Sequence, residues 1–393
     1  MKSRPYRICI TGARTTYNYG TMSIIASGVE EVDRLLEGNA EFFIMSPNAD
    51  IDDVNYRRTI FGSKFKTVGP KFRCGVPYFA HLLIMVLKSI PVYAKSDIVL
   101  DMRGEGYVGS AVAVTQSFQM LLARLFGTPF VIYAQSIGPF RSRINRVLAR
   151  LTLKRASLIT IREPISMGFF ADLRIKRNAH QVADQAIMLT PAPAERIDLL
   201  LKENSLSPGD NIVGISPIPR QVFIEMAAKA ADQLVEKYGV KVMIAPHAND
   251  WRLGGCKGND DLSAAQSLLN AMAKKDCARI ISGDYTAREV KGLMGRCQIY
   301  ISFRWHAAIA SISICNPTVV INSAHKSAAV RQFGVADLII DPEKVTLQLL
   351  AEKVDDCWRR RAEIRSSLES RSSEMQALSR KSAELSVAVL RGG

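Results

Sequence analysis

An α/β fold of two Rossmann-like domains facing across a cleft is predicted by three observations. Short apolar runs alternate with helix-length segments along nearly the whole chain, which implies parallel sheets covered on both faces. The alternation pauses once, at the proline-bearing stretch "LTPAPAERID" (Leu189 to Asp198), and then restarts. With 393 residues, 48% of them hydrophobic, the chain is long enough for two cores.

The first domain is expected over residues 1–185. Its strands read "RICITGA", "EFFIMSP", "DIVLDMRG", "PFVIYAQSIGPF" and "SLITIRE", with helical patterns at Met22–Leu36, Val112–Phe126 and Arg143–Lys154. The second is expected over 195–345, where "NIVGISPI", "KVMIAPHA", "ARIISGD", "CQIYISF", "PTVVIN" and "DLIID" are each separated by a helix. Residues 346–393 are charged, helix-forming and free of proline, and are expected to pack back toward the first domain. This is a GT-B-like arrangement. Ligands of open α/β sheets sit beyond the carboxyl ends of the strands, so the strand ends carry the functional reading.

Lys and Arg number 52 against 37 Asp and Glu, a formal net charge of +15. Nucleic acid, an anionic membrane face or anionic substrates could each explain that excess. The basic residues are spread along the chain and no zinc-finger or RNA-binding signature is present, which argues against nucleic acid. The seven cysteines are scattered, with no C-x-x-C pair, so they read as buried thiols in a reducing compartment and not as a metal or redox motif. "MKSRPYRICITGA" lacks a long apolar run and reads as a first strand, not a signal peptide. "YFAHLLIMVLKSIPVY" (Tyr78 to Tyr93) is interrupted by His81, Lys88 and Pro91 and is too short to span a bilayer. A cytoplasmic protein is expected. That stretch, flanked by Lys64, Lys66, Lys71, Arg73 and Lys95, is a candidate for peripheral contact with an anionic inner membrane face; an ordinary core helix is the alternative.

In "ITGARTTYNYGTMSIIASG", Asn18 and Gly20 form a turn before a helix starting near Thr21. A helix N-terminus offers free N–H groups to an anion or a sugar hydroxyl, and a plain capped turn is the alternative. In "SDIVLDMRGEGYVGS", Gly104 and Gly106 flank Glu105; the glycines allow close backbone approach, and Glu105 could act as a base or grip a hydroxyl. Ser136 in "VIYAQSIGPF" is expected on the cleft floor. Arg162 and Glu163 in "ITIREPIS" are either a site or a surface ion pair of little worth.

The second half supplies Arg220 in "GISPIPR" and His247 with Asp250 in "MIAPHANDW". A lone histidine there is more often structural, but an acid follows three residues on. "ISFRWHAAIAS" then gives Arg304 and His306, and "INSAHKSAAV" gives His325 and Lys326. Several basic strand ends converging in one domain suit a small, strongly anionic ligand. Strand alternation would put Arg304 and His306 on one side with Trp305 on the other. Ala307, Ala308 and Ala310 would let the next helix pack close. The competing reading pairs Arg304 with a nearby acid and makes His306 a helix cap.

From "NYGTMSIIASG" to about Gly334 the chain resembles the polysaccharide pyruvyl transferase family. The elements are Asn18-x-Gly20, "SDIVLDMRGEG", "QSIGPF", "IREPIS", "VADQAIML" with Asp184, and "ISFRWHAAIAS" followed by "PTVVINSAHK". The Arg304-x-His306-Ala307 element with Lys326 beyond the next strand is the most specific. The chain departs from the family where Thr21 follows Gly20 and where Arg103-Gly104-Glu105-Gly106 replaces a run of glycines. The resemblance implies a transferase moving a pyruvyl group from phosphoenolpyruvate to a sugar of an exopolysaccharide, capsule or cell-wall glycan as a ketal, the acceptor being free or lipid-linked. It implies no cofactor, and no metal or nucleic-acid partner is indicated.

In that chemistry Arg304 would hold the donor's carboxylate or phosphate, His306 would serve as acid or phosphate partner, and Glu105 would be the base. Arg162, Arg220, His247, Lys326, Asn18, Gly20, Gly104, Gly106 and Ser136 would line the substrates. Two alternatives stay open at this point. One is a GT-B glycosyltransferase using a nucleotide sugar, with Glu289 as the ribose-binding carboxylate; the other is a non-catalytic glycan-binding homologue.

Overall fold

The computed structural model describes residues 4–71, 78–249 and 260–392, without the side chains of residues 78–83, 324 and 326. Asp250 and Arg73 therefore lie outside the described residues, as does the side chain of Lys326. The chain forms two compact units. The first comprises Met1–Thr16, Thr21–Leu189 and Gln376–Gly393; the second comprises Tyr17–Gly20 and Thr190–Met375.

Along the first unit run β1 (Tyr6–Thr11), α1 (Tyr19–Leu35), β2 (Ala40–Met45), α2 (Ala49–Thr59), β3 (Lys64–Val68), α3 (Tyr78–Lys95), β4 (Ile98–Asp101), β5 (Glu105–Gly106), α4 (Ser110–Leu125), β6 (Phe130–Ile137), α5 (Arg143–Leu153), β7 (Leu158–Ile161), α6 (Pro164–Ala171) and β8 (His180–Gln181). All pairings are parallel, in the order β3-β2-β1-β4-β6-β7-β8, with the short β5 beside the end of β6. Every residue of β4, β6 and β7 is buried, as expected of parallel strands covered on both faces. One helical layer, α3 beside α4 beside α5, closes a core built from Tyr93, Ala113, Met120, Ala149 and Leu153 against Val99, Phe130 and Ile159.

The second unit continues with α7 (Ala194–Glu203), β9 (Ile212–Ser216), α8 (Gln221–Tyr238), β10 (Lys241–Ile244), α9 (Asp261–Ala271), β11 (Ala278–Ile280), α10 (Ala287–Met294), β12 (Cys297–Ser302), α11 (Trp305–Ile312), β13 (Thr318–Ile321), α12 (Ala324–Arg331), β14 (Ile339–Ile340), α13 (Leu347–Arg359) and α14 (Arg361–Arg391). Its six parallel strands follow the order β11-β10-β9-β12-β13-β14. Both sheets are doubly wound. The strand order reverses between β1 and β4 in the first and between β9 and β12 in the second, the places where such sheets open a crevice.

From Gln376 onward α14 belongs to the first unit. Its inward face is small: Ser379, Ser382, Ala383 and Ser386 are buried, so the helix backbone comes close. Ser379 Oγ donates to the Asp184 carbonyl (3.1 Å), and Ser382 Oγ bonds Thr160 Oγ1 (3.2 Å).

Arg162, at the end of β7, is not the surface ion pair that the sequence allowed; only 1% of it is exposed. Its Nη1 donates to Asp184 Oδ2 (2.7 Å), and its Nε donates to Ser136 Oγ (2.7 Å) and Glu163 Oε2 (3.2 Å). Glu163 also accepts from Ser166, whose hydroxyl in turn accepts from the Ile137 N–H (3.0 Å). Burial lowers the guanidinium's pKa, but Asp184, Glu163 and Glu105 outweigh it and raise it. Arg162→Met would leave two buried carboxylates uncompensated. We expect the first unit to lose about 3–5 kcal/mol of stability, measurable as a lowered urea midpoint.

Candidate functional site in the second unit

The end of β12 differs from its sequence reading. The strand stops at Ser302, Arg304 is the N-cap of α11, and His306 is its second residue. Strand alternation therefore does not place them. Burial alternates all the same: Phe303 and Trp305 are buried, whereas Arg304 and His306 are partly exposed. Phe303 stacks on Phe223 of α8 (5.5 Å), and the Ser302 hydroxyl donates to the Arg304 carbonyl (2.7 Å). The turn is thus fixed from its apolar side, and its polar side carries the cation and the imidazole.

The sequence reading missed the residue that holds this arrangement. Asp261, the first residue of α9, is fully buried. Its carboxylate accepts from Arg304 Nε (2.9 and 3.1 Å) and from Arg304 Nη2. It also accepts from the backbone N–H groups of Ala248 (2.9 Å) and His247 (3.3 Å). Burial lifts the Asp261 carboxyl, and Arg304 with the two N–H groups pulls the other way. An acid at the start of an apolar helix was the available signal, but nothing local says that it reaches two other strand ends. This pairing matches the competing reading of Arg304. The guanidinium edge expected to grip a ligand is occupied by Asp261, while 23% of the side chain stays exposed.

Asn18 and Gly20 were assigned to the first domain, and the structure corrects that: Tyr17–Gly20 belongs to the second unit. Asn18 forms an antiparallel bridge with Ala248. The Asn249 N–H donates to the Tyr17 carbonyl (2.9 Å), and the Tyr19 N–H donates to the His247 carbonyl (3.2 Å). Gly20 lies directly on His306; a Cβ there would sit 2.5 Å from both Cβ and Nδ1 of that histidine. His247 is buried edge-on to Tyr19 (5.6 Å), and its ring nitrogens have no hydrogen-bond partner among the described residues. Burial, then His306 and Arg304, push its pKa down to about 3. Asn18, Gly20, His247, Arg304 and His306 therefore form one cluster around Asp261.

The other candidates fall elsewhere. Arg220 is the exposed N-cap of α8 and lies over the Phe223 ring (4.8 Å). Glu289 is committed: it completes a capping box with Thr286 and accepts from Arg196 Nε (2.8 Å). In the first unit, Gly104, with φ +77°, turns the chain so that Glu105 and Gly106 pair with Ser136 and Ile137 at the end of β6. A Cβ on Gly106 would meet Gln135 Oε1 at 2.6 Å. Gly104, Glu105, Gly106, Ser136 and Arg162 thus form a second group.

The first unit also holds a largely apolar pocket of about 470 Å³ at the β1/β4 switch point. Gly12, Arg14, Arg103 and Gln119 supply its polar edge, and Met85, Val114 and Phe118 line the rest. Arg103 is fixed by a two-point bond to Asp101 (2.8 and 2.9 Å) and by Gln119 (2.6 Å). Glu105 is not part of this lining. The sequence reading did not include Arg14 or Gln119, because a pocket between a strand end and two helices has no local signature.

Comparison with known proteins decides the family. The polysaccharide pyruvyl transferase model matches residues 18–325. The chain belongs to that family. The match starts at Asn18 and spans the Asp261, Arg304 and His306 elements of the cluster. The amylovoran biosynthesis protein AmsJ of Erwinia amylovora is 24% identical over 282 residues, 66% of this chain and 65% of that protein, so the chain spans about two thirds of its length. Among solved structures, Alr3699/HepE of Anabaena in complex with UDP-glucose superposes with a TM-score of 0.64 at 11% identity, covering 99% of this chain and 100% of the other. The UDP-GlcNAc 2-epimerase of Methanocaldococcus jannaschii gives 0.62 at 10% identity, covering 90% and 92%. These likenesses establish the fold: two Rossmann-like domains of the GT-B-like class.

Two outcomes follow from the cluster. Gly20→Ala should displace His306 and cost about 1–3 kcal/mol, seen as a lowered thermal midpoint of the second unit. His247 is neutral when folded, and its folded pKa lies below its ordinary 6.5. The unfolded chain then binds more protons between pH 6.5 and about 3. Stability is full above that window and falls on acidification by about 1.4 kcal/mol per pH unit from this group. His247→Asn should flatten that slope in urea titrations run at a series of pH values.

Proposed function

We propose that the chain transfers a pyruvyl group from phosphoenolpyruvate to a glycan hydroxyl, closing a cyclic ketal on a sugar of an exopolysaccharide, capsule or cell-wall polymer. The single observation that carries this reading is the β12–α11 corner, where a fixed guanidinium, an imidazole and a helix N-terminus occupy one place in a family of pyruvyl transferases. The relative named for amylovoran biosynthesis supports a glycan acceptor.

The donor carries a carboxylate and a phosphate. Arg304, held by Asp261, offers an oriented positive charge, and the first turn of α11 adds partial positive charge. His306, within that turn, is the proton donor to carbon 3 of the enol. As carbon 2 gains positive character, a sugar hydroxyl attacks it. A general base takes that hydroxyl's proton. Phosphate leaves with the carbon 2–oxygen bond electrons, and a second hydroxyl attacks carbon 2 and closes the ketal, its proton passing to the released phosphate. His247 shapes the floor beneath His306 and is not itself a proton carrier, because burial keeps it neutral. Taken by itself, the first-unit pocket, with its apolar wall and basic edge, suits a sugar presented on an anionic lipid carrier. A cytoplasmic location fits the buried free thiols of Cys9, Cys297 and Cys357.

The nucleotide-sugar alternative loses its main residue, since Glu289 is spent on a helix cap and on Arg196. The test is release of inorganic phosphate from phosphoenolpyruvate with a panel of glycans. Release is expected with one or more acceptors. A chain that turns over a nucleotide sugar and leaves phosphoenolpyruvate intact would overturn the reading. His306→Ala should keep the fold and cut turnover about 10²-fold or more. Arg304→Lys keeps the charge but loses the planar bond to Asp261, and should weaken donor binding by about 1–3 kcal/mol. Parent-like kinetics in both variants would place the chemistry elsewhere.

A further inference from the structure

The helical layer α3–α4–α5 of the first unit is apolar on both sides. Its inner side is spent on the core through Tyr93, Ala113, Met120, Ala149 and Leu153. A surface helix ordinarily turns a polar face outward. Here α4 exposes Val114, Phe118, Leu121 and Leu125, one stripe at helical spacing, and Leu125 is 77% exposed. On α5, Ile144, Val147 and Leu151 form a second stripe, with Ile144 64% exposed. Leu87 of α3 adds to it. Exposed apolar area of this extent marks an interaction surface.

Charge gives the partner's chemistry. None of the three helices contains an aspartate or a glutamate. The exposed Lys95, Arg124, Arg143, Arg146 and Arg150 lie on the same helices. Apolar stripes interleaved with cations and free of acids suit an anionic bilayer, where the apolar side chains enter the interface and the cations meet headgroups. A second copy of the chain fits poorly, because the same like-charged arginines would face each other. The feature that stood out in sequence was α3 with a flank of lysines. Of that flank, Lys66 pairs with Glu41 (2.9 Å), and the acid-free face continues over α4 and α5 instead.

We propose that the outer face of α3, α4 and α5 is a docking surface for an anionic lipid bilayer. Val114 and Phe118 belong both to this face and to the wall of the 470 Å³ pocket. A ligand carried in the membrane would therefore meet the pocket directly. The docking surface stands on exposure and charge alone and does not rest on pyruvyl transfer.

The test is co-sedimentation of the full chain with vesicles at low ionic strength. Mixed phosphatidylcholine–phosphatidylglycerol vesicles should bind it, and pure phosphatidylcholine should bind it far less. The triple variant Arg143→Gln, Arg146→Gln, Arg150→Gln should lose roughly 5-fold per residue, about 10²-fold in all. Leu125→Ser with Leu151→Ser should lose about tenfold or more. All of these positions are exposed, so circular dichroism and the thermal midpoint should match the parent. No binding to anionic vesicles, or parent-like binding by both variants, would overturn the proposal. So would a parent dimer in sedimentation velocity that the leucine variant converts to monomer, which would make the face a contact between copies.

Discussion

A single buried carboxylate organises the second unit's candidate site. Asp261 lies at the start of α9, yet its two oxygens serve the N-cap of α11 and the backbone after β10. A carboxylate with no solvent access is costly unless donors surround it. Here a guanidinium and two peptide N–H groups do so, and the cost becomes a constraint that ties the ends of β10 and β12 to the start of α9. The Tyr17–Gly20 segment then completes the corner by bridging to Ala248 and laying Gly20 on His306. Arg304 is consequently an oriented charge and not a mobile one. Preorganisation of this kind is what a site needs if it is to stabilise charge that develops during reaction.

The first unit solves the same problem in a different way. Arg162 is more deeply buried than Arg304 and is satisfied by Asp184, Glu163 and Ser136 together. Such a network contributes little net stability over an apolar replacement, but it is unforgiving of losing one member. Its members come from β6, the end of β7 and the segment before Gln185. Asp184 is itself tied to α14 by Ser379. Arg162 therefore fixes where the Gly104–Gly106 turn and Glu105 sit, even though it is not exposed enough to touch a ligand. Its contribution is positioning.

The fold was largely legible in the sequence because parallel strands buried on both faces appear as continuous apolar runs, and helices of ordinary length separate them. "VIYAQSI" and "NIVGIS" could be little else. The basic strand ends were legible for the same reason, since a strand's last residues must reach the crevice. What could not be read was anything that depends on a distant partner. Asp261 resembles a helix-start acid, and only the folded chain shows that it serves Arg304. Asn18 and Gly20 follow β1 in sequence, and the bridge to Ala248 that takes them into the other unit leaves no local trace. Alternation along β12 failed because the strand ends two residues before Arg304, and helix geometry takes over there. The candidate stretch for membrane contact was sought as the longest apolar run, which finds α3. Helix α5 escapes that search because its arginines interrupt its exposed isoleucine, valine and leucine.

Fold likeness alone would leave the donor undecided. Chains at 10 and 11% identity share this architecture, and those solved structures include an epimerase and a protein in complex with UDP-glucose. Chemistry on such a scaffold is set by the side chains at the strand ends. In this chain the late-helix carboxylate that would suit a ribose is closed off by Thr286 and Arg196, because a capping box uses one oxygen and an ion pair uses the other. The corner at β12 and α11 presents cation, imidazole and helix N-terminus together, and its nearest acid is turned inward to hold the cation. An arrangement that spends its carboxylates on structure and keeps its positive groups partly exposed favours a compact, multiply charged anion over a sugar nucleotide recognised through its hydroxyls. Phosphoenolpyruvate, the donor proposed above, has that character: two anionic groups within a few bonds of the reacting carbon, with no sugar to grip.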